Sequence, residues 1–216
     1  MVNDFAIWLA WGSLISSILP LLFFYKSWKS LKIRPYLLIT IYFVLKVFLN
    51  VLSAFLYYSD INLPFNISPF FAFNGDIFLM TFFLFINDKF KKLFLIIIIL
   101  ILILNIFLFY VYKKIGDFDI GNTVALFFWL MMAIVQLVQL ITSNVKFKLS
   151  SNANFWFSTA VICSAVVGIV TNVLGDLLKD YNSAYPFNIL ALANFYAICS
   201  NVLYATGVYK LDELRR

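Results

Sequence analysis

Seven long apolar stretches, parted by short polar segments, run the length of this chain. They cover roughly Phe5 to Tyr25, Pro35 to Tyr58, Ser68 to Ile86, Leu93 to Tyr112, Thr123 to Thr142, Asn154 to Leu174 and Phe187 to Val208. Each approaches the ~20 residues that an α-helix needs to cross hydrocarbon. The apolar runs are continuous, not alternating, which excludes strands as spans. The expected fold is therefore an all-α membrane protein: a seven-transmembrane helix bundle forming one domain over residues 1–216. The fourth stretch, LFLIIIILILILNIFLF, is apolar nearly all round. Pro35, Pro64, Pro69 and Pro186 fall at or before helix starts, where a missing N–H costs little. Pro20 falls inside the first stretch and predicts a kink near its inner end.

Charge decides orientation. Lys26, Lys29, Lys32 and Arg34 sit in the first loop, Lys89, Lys91 and Lys92 in the third, Lys146 and Lys148 in the fifth, and Lys210, Arg215 and Arg216 at the end. The other side has Lys113, Lys114 and Lys179, together with Asp4, Asp60, Asp117, Asp119, Asp176 and Asp180. Basic residues gather on the cytoplasmic face. The expected topology thus puts the N-terminus outside and the C-terminus in the cytoplasm. Trp8, Trp28 and Trp156 lie near predicted span ends, as interfacial anchors do. The first stretch lacks a basic n-region and reads as a retained span, not a cleaved signal peptide.

Composition agrees with that reading and narrows the chemistry. The chain is 64% hydrophobic and 12% charged, with a mean hydropathy of +0.97. A soluble domain is typically half apolar and a quarter charged. The 26 phenylalanines, with abundant Ile, Asn and Lys, fit a bacterium with an AT-rich genome and hence an inner-membrane location. The net charge of +6 follows from the cytoplasmic lysines, and no basic run is long enough to track nucleic acid. The chain has no histidine, which removes the commonest general base and metal ligand. Cys163 and Cys199 lie in separate apolar stretches with no metal spacing. Neither a metal nor a cofactor is expected.

Inside the predicted spans the polar residues form candidate sites. Lys46 lies near the centre of the second stretch. A central lysine costs roughly 2.5–3.5 kcal/mol on insertion scales, so it should face the bundle and find a partner. Asn50 lies one turn on and shares its face. Asp76 in the third stretch is the expected partner: helix rise puts Lys46 ~16 Å from the inner face and Asp76 ~12 Å from the outer one, nearly the same depth in a ~30 Å core. Asn194 lies ~10–12 Å from the outer face by the same rise, with Ser13 and Ser164 within a turn or two. Lys46, Asn50, Asp76 and Asn194 make the expected ligand-binding set. Gln136, Gln139, Ser200 and Asn201 make a second polar group nearer the cytoplasm. Hydrogen-bonding glue between helices is the plainer role for the Asn and Gln residues.

The stretch SSNANFWFSTAVICSAVVGIVTNVLGDLL, then FNILALANFYAICSNVLYATGVYKL, resembles a group of short, uncharacterised seven-helix bacterial membrane proteins. The shared features are Asn152, Phe155 and Trp156 opening the sixth helix, and Asn194, Asn201 and Tyr204 in the seventh. This resemblance implies a sensor-like module, often associated with histidine-kinase signalling. A second set of residues resembles lysoplasmalogenase-like membrane hydrolases: Gly75-Asp76, Gly175-Asp176 and the looser LKIRP. That resemblance implies catalysis by Asp76 and Asp176, one donating a proton and one acting as base. The chain departs from it in having seven apolar stretches where that family has eight, and no histidine. A small-solute transporter or channel is a further alternative that the polar layer permits. The expectation is a non-enzymatic sensory module in contact with membrane lipid. The tail YKLDELRR is too small for an output domain, so the signal should leave through a separate partner such as a histidine kinase.

Overall fold

The computed structural model describes the backbone over residues 2–26, 34–58, 67–87, 89–112, 119–143, 149–178 and 185–213. Side chains in parts of several helices, including those of Asp76 and Asp176, lie outside the described residues. Among the described residues the chain is all-helical, with seven α-helices. They are α1 (Val2–Lys26), α2 (Arg34–Tyr58), α3 (Ile67–Ile86), α4 (Lys91–Tyr112), α5 (Asp119–Thr142), α6 (Ala153–Leu178) and α7 (Tyr185–Glu213). One 3₁₀ turn, Leu149–Ser151, precedes α6.

Four helices contain segments long and apolar enough to cross a membrane: Ile7–Tyr25, Pro35–Leu52, Thr123–Thr142 and Ala153–Leu174. The described side chains bury an apolar core with a few polar groups in it, and expose many large apolar residues. Ser16, Ser17, Asn87, Gln136, Ser158, Ser200 and Asn201 are buried, while large apolar residues cover the outside. On α1, Trp8, Trp11, Ile15, Ile18, Leu22 and Tyr25 are all exposed and recur every three or four residues, so they form one stripe. Its ends are aromatic. From Trp8 to Tyr25 the helix rises ~26 Å, close to the thickness of a hydrocarbon core.

Consecutive helices pack against one another, and α1 packs against α7, which closes the ring. Helix α3 also meets α5 directly, so α4 sits outside that corner. This explains its composition. Phe94, Ile98 and Ile101 turn inward as one stripe, and Leu93, Ile96, Leu100 and Ile103 are exposed. An outer helix in lipid needs apolar residues on every side.

The centre of the ring is aromatic. Phe43 and Tyr204 meet edge to face at 4.7 Å between centroids, as do Phe82 and Phe157 at 5.5 Å. Gly207 lets Phe157 approach α7, since a Cβ there would lie 2.8 Å from the ring. Small residues let helix backbones come close in this way.

Pro20 lies within α1, which is one helical element on either side of it. Two helices are longer than their apolar stretches. Helix α7 runs to Glu213, five residues beyond the expected end at Val208. Tyr209, Lys210 and Leu211 extend the helix, because Leu211 still reaches the core even as Lys210 is polar. The sixth helix is likewise longer than its apolar stretch, ending at Leu178.

Candidate functional site

Lys46 projects from the middle of α2 and donates a hydrogen bond from Nζ to Asn201 Oδ1 on α7, at 3.1 Å. Asn201 Nδ2 in turn donates to Ser16 Oγ on α1 at 3.0 Å, and lies 3.5 Å from the Ser13 carbonyl. Ser16 Oγ donates to that same carbonyl at 2.9 Å. The network fixes the Asn201 amide in one orientation. Its oxygen must face the ammonium and its NH₂ the two oxygens, since the flipped amide would set donor against donor. Three helices are tied together through one buried side chain.

The register makes this meeting possible. Lys46 lies twelve residues from the start of α2 at Arg34, and Asn201 twelve residues from the end of α7 at Glu213. Both are therefore ~18 Å along their helices from the same end of the bundle. The aromatic centre lies just beside them. Lys46 Nζ is 5.8 Å from the centroid of Phe43 and 6.0 Å from that of Tyr42. Such distances permit a weak cation–π attraction. Among the described residues Lys46 has no carboxylate partner.

Among the described residues no contact joins two members of the expected first set. Lys46 meets Asn201, which sequence depth had put in the second group. Asn50 is half-buried one turn along α2, and Asn194 half-buried two turns along α7 from Asn201. Neither bonds Lys46 among the described residues. Asp76 belongs to α3 by its backbone, but its side chain lies outside the described residues, and so does that of Asp176 on α6. The expected Lys46–Asp76 pair and the two-carboxylate catalytic arrangement both fall there.

The expected second group is divided among three contacts. Asn201 serves Lys46. Ser200 Oγ lies 2.7 Å from Ser164 Oγ and donates to the Ala160 carbonyl at 3.1 Å, joining α7 to α6. Gln136 Oε1 accepts from Asn87 Nδ2 at 2.9 Å, joining α5 to the end of α3. Gln139 stands near the end of α5, half-buried, and its carbonyl accepts from the Ser143 amide.

Several contributors were missed from sequence. Ser16 lies three residues after Ser13 and so shares its helix face, a signal that was available. Asn87 both holds Gln136 and accepts from the Phe90 amide at 3.1 Å, capping the entry to α4. An Asn just ahead of a helix start is a recognisable cap. Asn152 caps α6 in the same way, accepting from the Asn154 amide at 2.9 Å, and Trp156 Nε1 donates to the Ser150 carbonyl. The Asn152, Phe155 and Trp156 pattern thus builds a helix start. Trp129 gave no such signal. Its ring lies edge-on to Tyr42 at 6.2 Å, and its Nε1 is buried with no hydrogen-bond partner among the described residues; Ser158 Oγ is buried in the same state.

The chemistry on offer is that of a half-buried ammonium held by the neutral Asn201 amide oxygen, with the Ser16 hydroxyl behind that amide. It can hold an acceptor group or relay a change in one helix to two others. Among the described residues no cluster of His, Cys, Asp or Glu could hold a metal. Cys163 and Cys199 are free and half-buried on α6 and α7. No family model, curated protein or solved structure matches this chain.

Proposed function

We propose that this chain is a seven-span bundle of the bacterial inner membrane, with its N-terminus outside and its C-terminus in the cytoplasm. In this reading it is a non-enzymatic sensory module. Its intramembrane polar site lies around Lys46, and it passes its signal to a separate protein.

The observation that carries the reading is the Lys46–Asn201–Ser16 network. A lone ammonium deep in an apolar bundle is costly, and such residues tend to mark functional positions. Here it couples helices. Asn201 is the only group that both Lys46 and Ser16 share among the described hydrogen bonds, so a change at Lys46 acts on α1 and α7 together. From Asn201 the helix continues unbroken to Glu213. A small rotation or shift at the site is thereby carried ~18 Å to the end of α7 as a rigid element. The alternation of basic and acidic loops supports the orientation.

The test compares transcript profiles of the native host with the chain deleted and with Lys46→Gln in its place, the protein level being matched. Sensing predicts that both strains misregulate the same set of transcripts. An unaltered transcript profile in both strains, with an altered membrane lipid composition, would mark a lipid hydrolase instead.

A further inference from the structure

The turn between α3 and α4 gathers positive charge where a helix least favours it. Lys89, Lys91 and Lys92 are all exposed, and α4 begins at Lys91 with no acidic residue in its first turn. Residues 87–92 hold these three lysines against one aspartate, Asp88, a net charge of +2. Asp88 itself lies outside the described residues. The first turn of a helix is already positive, because its amide N–H groups have no carbonyl one turn back to bond. Lysines there oppose the helix dipole instead of completing it. An anion would be attracted by both. The turn is also held in place from within. Asn87 Oδ1 accepts from the Phe90 amide, and Asn87 Nδ2 donates to Gln136 Oε1 on α5. Two of the lysines lie over rings of the same corner: Lys89 Nζ is 5.6 Å from the centroid of Phe90, and Lys91 Nζ 5.6 Å from that of Phe85.

An exposed apolar track starts at the third lysine. Leu95, Ile96, Ile99 and Ile103 follow Lys92 at helical spacing on its own face of α4, and all four are exposed. From Lys92 to Ile103 the helix rises ~16 Å, about the hydrocarbon depth of one leaflet in a ~30 Å core. Positive charge at the head of an apolar track one leaflet deep matches one kind of molecule, a lipid with a negative headgroup. A soluble anion would use the lysines and leave the track. A zwitterionic lipid would use the track and gain little from the charge. We infer that the α3–α4 turn binds the headgroup of an anionic phospholipid through Lys89, Lys91 and Lys92, with an acyl chain lying along Leu95, Ile99 and Ile103. The site requires neither Lys46 nor the sensory role; only its placement in the cytoplasmic leaflet rests on the proposed orientation.

The test titrates the full chain, in a neutral detergent, with phosphatidylglycerol, with phosphatidylcholine of the same acyl chains, and with glycerol phosphate. Thermal unfolding is followed, since a ligand that binds only the folded state raises the midpoint. The inference predicts a saturable rise with phosphatidylglycerol that high salt weakens, and a much smaller rise with the other two. Each lysine changed to glutamine should weaken phosphatidylglycerol about fivefold. The triple change of Lys89, Lys91 and Lys92 to arginine should keep the binding. The triple change of Lys146, Lys148 and Lys210 to glutamine removes as much charge from elsewhere and should leave it unaltered. Lys92→Gln alone serves if the triple glutamine variant does not insert. Equal rises with the two phospholipids overturn the inference, as does equal weakening in the two triple glutamine variants; the lysines would then set orientation alone. A rise with glycerol phosphate as large as with phosphatidylglycerol also overturns it, because the track would add nothing. Failure here leaves the sensory reading standing, and an unaltered transcript profile leaves this site standing.

Discussion

At the scale of single residues, Asn201 matters more than Lys46 for holding the bundle together. Removing its amide leaves the ammonium without its described acceptor and Ser16 without its donor. Removing the lysine leaves only a neutral amide oxygen unpaired. Removing the partner of a charge strands that charge, whereas removing the charge also removes its desolvation cost and strands only a neutral acceptor. Asn201→Ala should therefore destabilise by about 2–4 kcal/mol, and Lys46→Met by under about 1 kcal/mol. The double variant should be more stable than Asn201→Ala alone. Reversible unfolding in mixed micelles checks this. Additive losses would show that the two side chains do not interact.

Helix by helix, stability depends on how closely backbones approach. At Gly207 an added Cβ would lie 2.8 and 2.9 Å from two atoms of the Phe157 ring. That ring is itself wedged against Phe82 and Tyr204, so it cannot swing aside. At Gly12 the near atom is the terminal Cδ1 of Ile198, at 3.1 Å, which can turn away. Gly207→Ala should cost about 1–3 kcal/mol, the usual range for overpacking, and Gly12→Ala much less. The same unfolding experiment ranks them, and equal losses would contradict the packing described.

Helices were legible because twenty apolar residues in a row leave few other structures open. Lys46 was legible because it is a charge within such a run. Its partner was not, for two reasons. Sequence gives the depth of a residue along its own helix but not which helices face one another. The depth itself depended on the end of α7, where Tyr209–Leu211 continue the helix past the last strongly apolar residue. Placing that end at Val208 moved Asn201 about five residues, or ~7.5 Å, towards the cytoplasmic face and separated it from Lys46. Trp129 was illegible for a different reason: an unmet hydrogen bond appears only when the neighbours are known.

For the molecule as a whole, the ring of helices encloses an apolar, largely aromatic core with a few polar groups, and carries large apolar side chains outside as well. In water this surface would associate without limit; in lipid it is already solvated. Helices α1, α6 and α7 pack in sequence around the interior, and Ser16, Ser164, Ser200 and Asn201 join them there. A ring stitched in this way can change state as a unit when one contact is lost.

In the proposed topology the helices thread the membrane seven times in alternate directions. Labelling of single cysteines by a membrane-impermeant maleimide in intact cells, with Cys163 and Cys199 replaced by serine, tests this directly. Cysteines at Asn62, Asp117 and Ser183 should react from outside. Those at Ser30, Asp88, Asn144 and Arg216 should react only after the membrane is opened. Reaction of Arg216 from outside, or of two successive loops from the same side, would contradict it.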